Sequence, residues 1–319
     1  MNKKVLRSVA IILSLVIIFI SSVNVGKVNA ATSTRKIYEG AWLGTWPNKQ
    51  NADIENYTQL TGRPLGVVHT FVNTNQNFSV WTPFMDYVNS SNGINLLTIE
   101  TLKPDNTQYN TVEINNGALD SYFTTLANDM KAWQNGQTIW VRIMHEVNGN
   151  WYGWSIGDST VNTNQTYINA YRRIVNIFRK NGAKNVKFIY NINCDNVGQN
   201  ASYMGAYPGD YYVDYVSIDG YNWGTSQSWS TWRSFDNIFK VPYQALCSGT
   251  TKPVILAEYA SSELGGDKAS WIQDAGAKIK SSTYSRIYAA VWFNQNKETD
   301  WRINSSTSSL KAYQSLSFK

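Results

Sequence analysis

Apolar residues are grouped into eight short runs, and each gives way to a polar or helical-period stretch. The runs cover residues 37–46, 65–72, 94–99, 138–146, 186–192, 212–218, 253–257 and 287–293. They are rich in Val, Ile, Tyr and Trp, and turn-forming residues bound them, so each predicts a strand. Between them the apolar spacing changes to that of a helix. Leu119, Tyr122, Phe123, Leu126, Met130 and Trp133 form one stripe, with Asp120 in the first turn and Gly136 just past its end. Tyr167, Tyr171, Ile174, Val175 and Phe178 form another, starting at Thr163 and stopped by Asn181-Gly182. Further helices are predicted at 51–61, stopped by Gly62-Arg63-Pro64, and at 81–89, 232–247, 267–280 and 306–316, with Asp267 as a cap. The Asn- and Thr-rich stretch 103–116 reads as a loop.

Strands that alternate with helical or polar segments imply a parallel sheet with crossover connections. Eight such units predict a single (β/α)8 barrel of the α/β class rather than an open sheet. No linker, low-complexity tract or internal repeat interrupts the pattern.

The first thirty residues stand apart from it. Lys3, Lys4 and Arg7 precede an apolar run at 9–20, and Val28-Asn29-Ala30 is a small-x-small site before Ala31. This is the layout of a secretory signal peptide, and it predicts a secreted protein. The apolar run is short for a membrane span, with an uncleaved anchor as the alternative. Residues 31–319 then form one catalytic-size domain, since such barrels run about 250 residues.

Setting the leader aside changes the charge. Lys3, Lys4, Arg7 and Lys27 are four of the 28 basic residues, which leaves 24 against 22 acidic ones. No basic stripe remains to neutralise phosphates, so nucleic acid is excluded as a partner, and a neutral polymer suits the chain better. A monomer with no membrane association after cleavage is expected. Cys194 and Cys247 are too few for a disulfide framework and read as two independent buried thiols, with a pair formed in an oxidising compartment as the alternative. With no CxxC and only His69 and His145, neither a metal nor another cofactor is implied. All thirteen Trp lie after the leader. Each indole N–H wants a partner, so this many points beyond core filling to a cleft that stacks sugars.

Two acids carry the candidate chemistry. Glu146 ends the fourth predicted strand and is followed by Asn-Gly-Asn and then Trp151, Tyr152 and Trp154; Glu258 ends the seventh. In this register both open on the C-terminal rim, where barrel enzymes place their chemistry. Glycosidic cleavage needs two carboxyls, one to protonate the leaving oxygen and one to meet the cationic sugar. Period two also places Arg142 on the face of Glu146, where it tunes a carboxylate or forms an interior ion pair.

Four linked motifs carry a family likeness: His145-Glu146-Val147-Asn148-Gly149-Asn150-Trp151-Tyr152, Tyr207-Pro208-Gly209-Asp210, Ile218-Asp219-Gly220-Tyr221-Asn222-Trp223, and Lys252-Pro253-Val254-Ile255-Leu256-Ala257-Glu258-Tyr259. Together they resemble the family-26 glycoside hydrolases over most of the chain after the leader. The resemblance implies a (β/α)8 barrel and a retaining mechanism with Glu146 as acid/base and Glu258 as nucleophile. It implies that His145 binds sugar near the cleavage point, the alternative being a core-edge histidine. Trp151 resembles the stacking residue near the scissile sugar, and Tyr221 the tyrosine that hydrogen-bonds the nucleophile. Trp292 resembles the sugar platform, with barrel packing as the alternative. His69 lines a more distant subsite or is structural. Asn148, Asn222, Trp223 and Trp154 are expected along the cleft wall.

The Asn-Gly-Asn-Trp-Tyr and Asp-Gly-Tyr-Asn-Trp forms look more like members acting on β-glucans than like mannan-cleaving ones. The expectation is a secreted endo-β-glycanase cleaving β-1,4 bonds in mixed-linkage β-1,3-1,4-glucan or a related β-glucan. Its alternatives are an endo-β-1,4-mannanase, a hydrolase of a bacterial matrix polysaccharide, and a binding barrel without catalysis.

Overall fold

A computed structural model of the chain describes residues 35–44 and 51–318. The expected signal peptide lies outside the described residues, as does the end of the first predicted strand at Trp46. Among the described residues no helix is long and apolar enough to cross a membrane.

Eight parallel strands close into a barrel in sequence order. They are β1 (Tyr38–Trp42), β2 (Val67–Asn73), β3 (Ile94–Glu100), β4 (Ile139–Ile143), β5 (Val186–Asn193), β6 (Tyr215–Asn222), β7 (Val254–Ser261) and β8 (Ile287–Phe293). The helices are α1 (Asn51–Thr61), α2 (Thr82–Ser90), α3 (Thr111–Asn115), α4 (Asp120–Ala132), α5 (Asn164–Lys180), α6 (Phe235–Gly249), α7 (Lys268–Lys280) and α8 (Thr307–Gln314). The expected (β/α)8 architecture is therefore present. Side chains stop and start the helices where the pattern expects it. Thr163 caps α5, Asp267 caps α7 and Ser306 caps α8, each accepting a backbone N–H from the first turn.

Five expectations need correction. The loop at 103–116 contains α3, because Asn110 and Glu113 bond each other's backbone N–H at 2.9 Å in a capping box. β4 ends at Ile143, so Glu146 lies past the strand rather than at its end. β6 starts later than predicted and runs through Asp219-Gly220-Tyr221-Asn222, and β7 runs three residues beyond Glu258. Cys194 is a buried free thiol as expected, but Cys247 is only partly buried.

The core has two parts. Val67, Leu96, Trp140, Ile189, Ile255, Ala257, Ala289 and Val291 fill the barrel interior. A larger shell packs the other strand face against the helices. Gly40 is needed where β1 squeezes between β2 and β8, since a Cβ there would sit 2.8 Å from Val67 O and 3.0 Å from Val291 Cγ2.

Candidate active site

The interior alternation continues upward into polar residues. On β3, Leu96 is followed by Thr98 and Glu100; on β5, Ile189 by Asn191 and Asn193; on β6, Ser217 by Asp219 and Tyr221. Period two thus carries these side chains toward the C-terminal mouth. Arg142 follows Trp140 on β4 in the same way.

Two local breaks bring in the acids. Pairing of β6 with β7 shifts between Ile218 and Asp219, so Ile218 faces Leu256 while Asp219 faces Glu258. The extra residue, Ala257, is a bulge. After it, Glu258 points into the mouth and Tyr259 packs outward against Trp292. Beyond β4, Met144 and Glu146 adopt left-handed backbone, with φ of 47° and 52°. Left-handed backbone is costly for non-glycine residues and persists where the surroundings hold it. Here the Glu146 N–H donates to Asn191 Oδ1 at 2.7 Å, and Tyr167 OH donates to Met144 O at 2.8 Å.

Arg142 organises the floor of the mouth. Its Nη1 bonds Asp219 Oδ2 at 2.5 Å, its Nη2 bonds Glu258 Oε1, and its Nε donates to Thr98 Oγ1 at 2.7 Å. Burial works to strip its charge, but the two carboxylates more than offset this and raise its pKa. Burial also drives Asp219 well above the ordinary carboxylate range, against the pull of Arg142. Glu258 accepts a second hydrogen bond from Tyr221 OH. The Glu146 carboxyl is held by Asn193 Nδ2 at 2.7 Å and by Trp151 Nε1 at 2.8 Å. Burial and then the charge of Glu258 push its pKa up to about 7, against both hydrogen bonds and Arg142. One carboxyl is thus poised to hold a proton at neutral pH beside another locked to a guanidinium and a phenol.

The other expected residues divide into those that reach the mouth and those that do not. Trp151, 43% exposed, and Tyr221 touch the two acids directly. Trp223 is half-buried beside Tyr221. His145 is buried, with Nε2 2.8 Å from Tyr152 OH and its Nδ1 unpartnered among the described residues. His69 lies deeper, 2.8 Å from Thr98 Oγ1 and 3.3 Å from Arg142 Nη2. Burial and then Arg142 depress both histidines well below the usual range, so both are neutral. Asn148 is spent on the loop after β5, donating to Asn193 O, Asp195 O and Asn196 Oδ1. Asn222 ties Ser261 and the Arg233 N–H, and Trp154 donates to His145 O. Trp292 does not reach the mouth. It is 0% exposed between β8 and the helices, against Tyr259, Trp271 and Tyr313. Its neighbours Val291 and Phe293 face inward, so period two places Trp292 outward.

The mouth also holds residues not anticipated as site groups. Asn191, Asn193, Thr98 and Asp219 supply the polar scaffold just described. Glu100 faces in from β3, and burial raises its pKa. The aromatic wall is Phe71, Trp42, Phe293 and Trp301, with Trp42 and Phe293 stacked at 4.1 Å and Trp301 5.0 Å from Tyr221. The signal for most of them was the same interior alternation, carried through polar residues. Among the described residues no cluster of His, Cys, Asp and Glu could hold a metal ion.

Comparison with known proteins bears on this site. A family model described as Glycosyl hydrolase family 26 matches residues 100–258, a window bounded by Glu100 and Glu258 that contains Glu146. Endoglucanase H of Acetivibrio thermocellus is 50% identical over 315 residues, covering 98% of this chain and 33% of that protein. The chain therefore spans about a third of the length of that relative. Among solved structures, an endo-β-1,4-mannanase double mutant from Cellulomonas fimi aligns with a TM-score of 0.67 at 18% identity, over 89% of this chain and 71% of the other. A β-mannanase from Bacteroides ovatus aligns with a TM-score of 0.65 at 15% identity, over 89% and 88%. At these identities the structural likeness concerns the fold.

Proposed function

The chain belongs to glycosyl hydrolase family 26, and from that premise we propose that it is a secreted, retaining endo-β-glycanase that cleaves β-1,4 bonds in mixed-linkage β-glucan. The observation that carries the chemistry is the difference between two acids at one barrel mouth. Glu146 retains a proton near neutral pH, while Glu258 is bound by Arg142 and Tyr221. The glucan preference draws on the 50% identity to a protein named an endoglucanase and on the Asn-Gly-Asn-Trp-Tyr context of the acid. Secretion draws on the basic, apolar and small-residue pattern before Ala31.

The steps follow from these positions. Glu146 donates its proton to the glycosidic oxygen as the bond breaks, and a Glu258 carboxylate oxygen attacks the anomeric carbon from the opposite face. The Arg142 and Tyr221 hydrogen bonds hold that carboxylate in place and orient its free lone pairs. Glu146, now ionised and steadied by Asn193 and Trp151, takes a proton from water, and the water releases the glycosyl group from Glu258. This double displacement calls for a carboxyl gap of about 5–5.5 Å.

The test is release of reducing ends from lichenan, glucomannan and galactomannan. The expected result is cleavage of lichenan first, with net retention at the anomeric centre. Glu258→Ala is expected to lower the rate by at least on the order of 10³-fold while leaving polymer binding nearly intact. Galactomannan as the preferred polymer would overturn the glucan reading, and near-native activity of the variant would overturn the assignment of Glu258.

A further inference from the structure

A Trp on a surface loop usually buries most of its ring, yet Trp229 is 69% exposed. It lies between β6 and α6, and its loop is pinned on all sides. Thr225 N donates to Leu264 O at 3.0 Å, Ser230 Oγ to Gly224 O at 2.6 Å, and Arg233 N to Asn222 Oδ1 at 2.8 Å. Gly224 permits the entry turn. Its φ is 54°, and a Cβ there would sit 1.7 Å from Leu264 O. The indole is therefore presented by an ordered turn, not carried on a loose one.

The ring does not stand alone. Its centroid is 5.3 Å from that of Trp223, tilted by 60°, which leaves a Trp229 face open. Trp223 meets Trp301 edge-on at 4.8 Å and Tyr221 at 5.9 Å, and Tyr221 bonds Glu258. An aromatic path thus leads from the carboxylate in the mouth through Tyr221 to an exposed ring two ring contacts further on. Flat apolar faces on an ordered support suit the C–H faces of pyranose rings, at little entropic cost.

Resting on the function proposed above, we propose that Trp223 and Trp229 form an outer sugar-binding subsite, which stacks a hexopyranose of the polymer away from the bond that is cleaved. Trp229 makes its contact only with substrates long enough to reach it.

The experiment compares wild type with Trp229→Ala and Trp229→Phe on lichenan and on a chain-length series of β-glucan oligosaccharides. The wild-type KM is expected to drop at the oligosaccharide length that first reaches Trp229. Trp229→Ala should lose that drop, raising KM on lichenan about 5- to 10-fold with kcat nearly unchanged. It should match wild type on the shorter chains, and Trp229→Phe should recover part of the loss. A Trp229→Ala enzyme whose KM stays within about two-fold of wild type at every length, or that loses equally on all lengths, overturns the subsite. A wild-type enzyme that cleaves none of the polymers overturns the function reading, and the subsite with it.

Discussion

Ala257 and Glu258 are neighbours in sequence, and both side chains face into the barrel: Ala257 packs with Ile255 and Ala289, and Glu258 meets Arg142. Consecutive residues of a regular strand point to opposite faces. The bulge in β7 suspends that rule for one step, and it is what turns the carboxylate toward the mouth. A larger side chain at Ala257 should therefore disturb both packing and chemistry. Ala257→Leu is expected to cost about 1–3 kcal/mol by overpacking and to lower kcat through displacement of Glu258. Denaturant unfolding and steady-state kinetics check the two effects together. Native stability with native kcat would show that the bulge does not set the carboxylate.

The proton on Glu146 gives a second expectation. The protonated acid is the competent form, so kcat/KM should be present below about pH 7 and fall as pH rises through that value. The Trp151 hydrogen bond favours the ionised form. Trp151→Phe removes it, so the alkaline limb should move to higher pH. A limb that stays in place, or moves to lower pH, would contradict this role for the indole.

These relationships were unevenly legible in the chain. The eight runs and most helix caps were readable because burial leaves a period and capping leaves a residue type. Helix α1 and strand β8 occur at their predicted bounds. The two acids were legible as the first carboxyls after apolar runs, although Glu146 lies past β4 and Glu258 lies inside β7 rather than at its end. The bulge at Ala257 was not, because an extra residue in one strand leaves the apolar pattern almost unchanged. The left-handed turns at Met144 and Glu146 were equally hidden, since neither is glycine or asparagine. Trp292 shows the opposite case. Its outward placement follows from Val291 and Phe293, and a resemblance weighted toward aromatic platforms hid that alternation.

Arg142 is the third test. It stands between two buried carboxylates, so its removal leaves Asp219 and Glu258 facing each other uncompensated. Arg142→Met is expected to destabilise the fold by about 3–5 kcal/mol at neutral pH. Part of that loss should be recovered in Arg142→Met/Asp219→Asn, which removes one of the opposed charges. Urea unfolding of the single and double variants measures the coupling. Equal stabilities for the two variants would mean that the carboxylates do not oppose each other there.

Lys268, the first residue of α7, gives the last expectation, because it braces the loop that carries Trp301. Its buried amine donates to Asp300 O at 3.1 Å, Arg302 O at 2.8 Å and Ser305 Oγ at 2.8 Å. Burial lowers its pKa to about 8, against the charges of Glu263 and Asp300. An unfolded lysine holds its proton to about pH 10.4. Between those values the unfolded chain binds more protons than the folded one, so the contribution of Lys268 to stability rises with pH across that window. Lys268→Met should lack that rise and leave three acceptors unpaired, at a cost of about 1–3 kcal/mol near pH 7. Stability measured from pH 7.5 to 10.5 in both proteins separates the titration from the lost hydrogen bonds. Parallel curves for the two would show that the amine titrates as it does in the unfolded chain. Because the same loop presses Trp301 against Tyr221 and Trp223, the variant should also raise KM on lichenan.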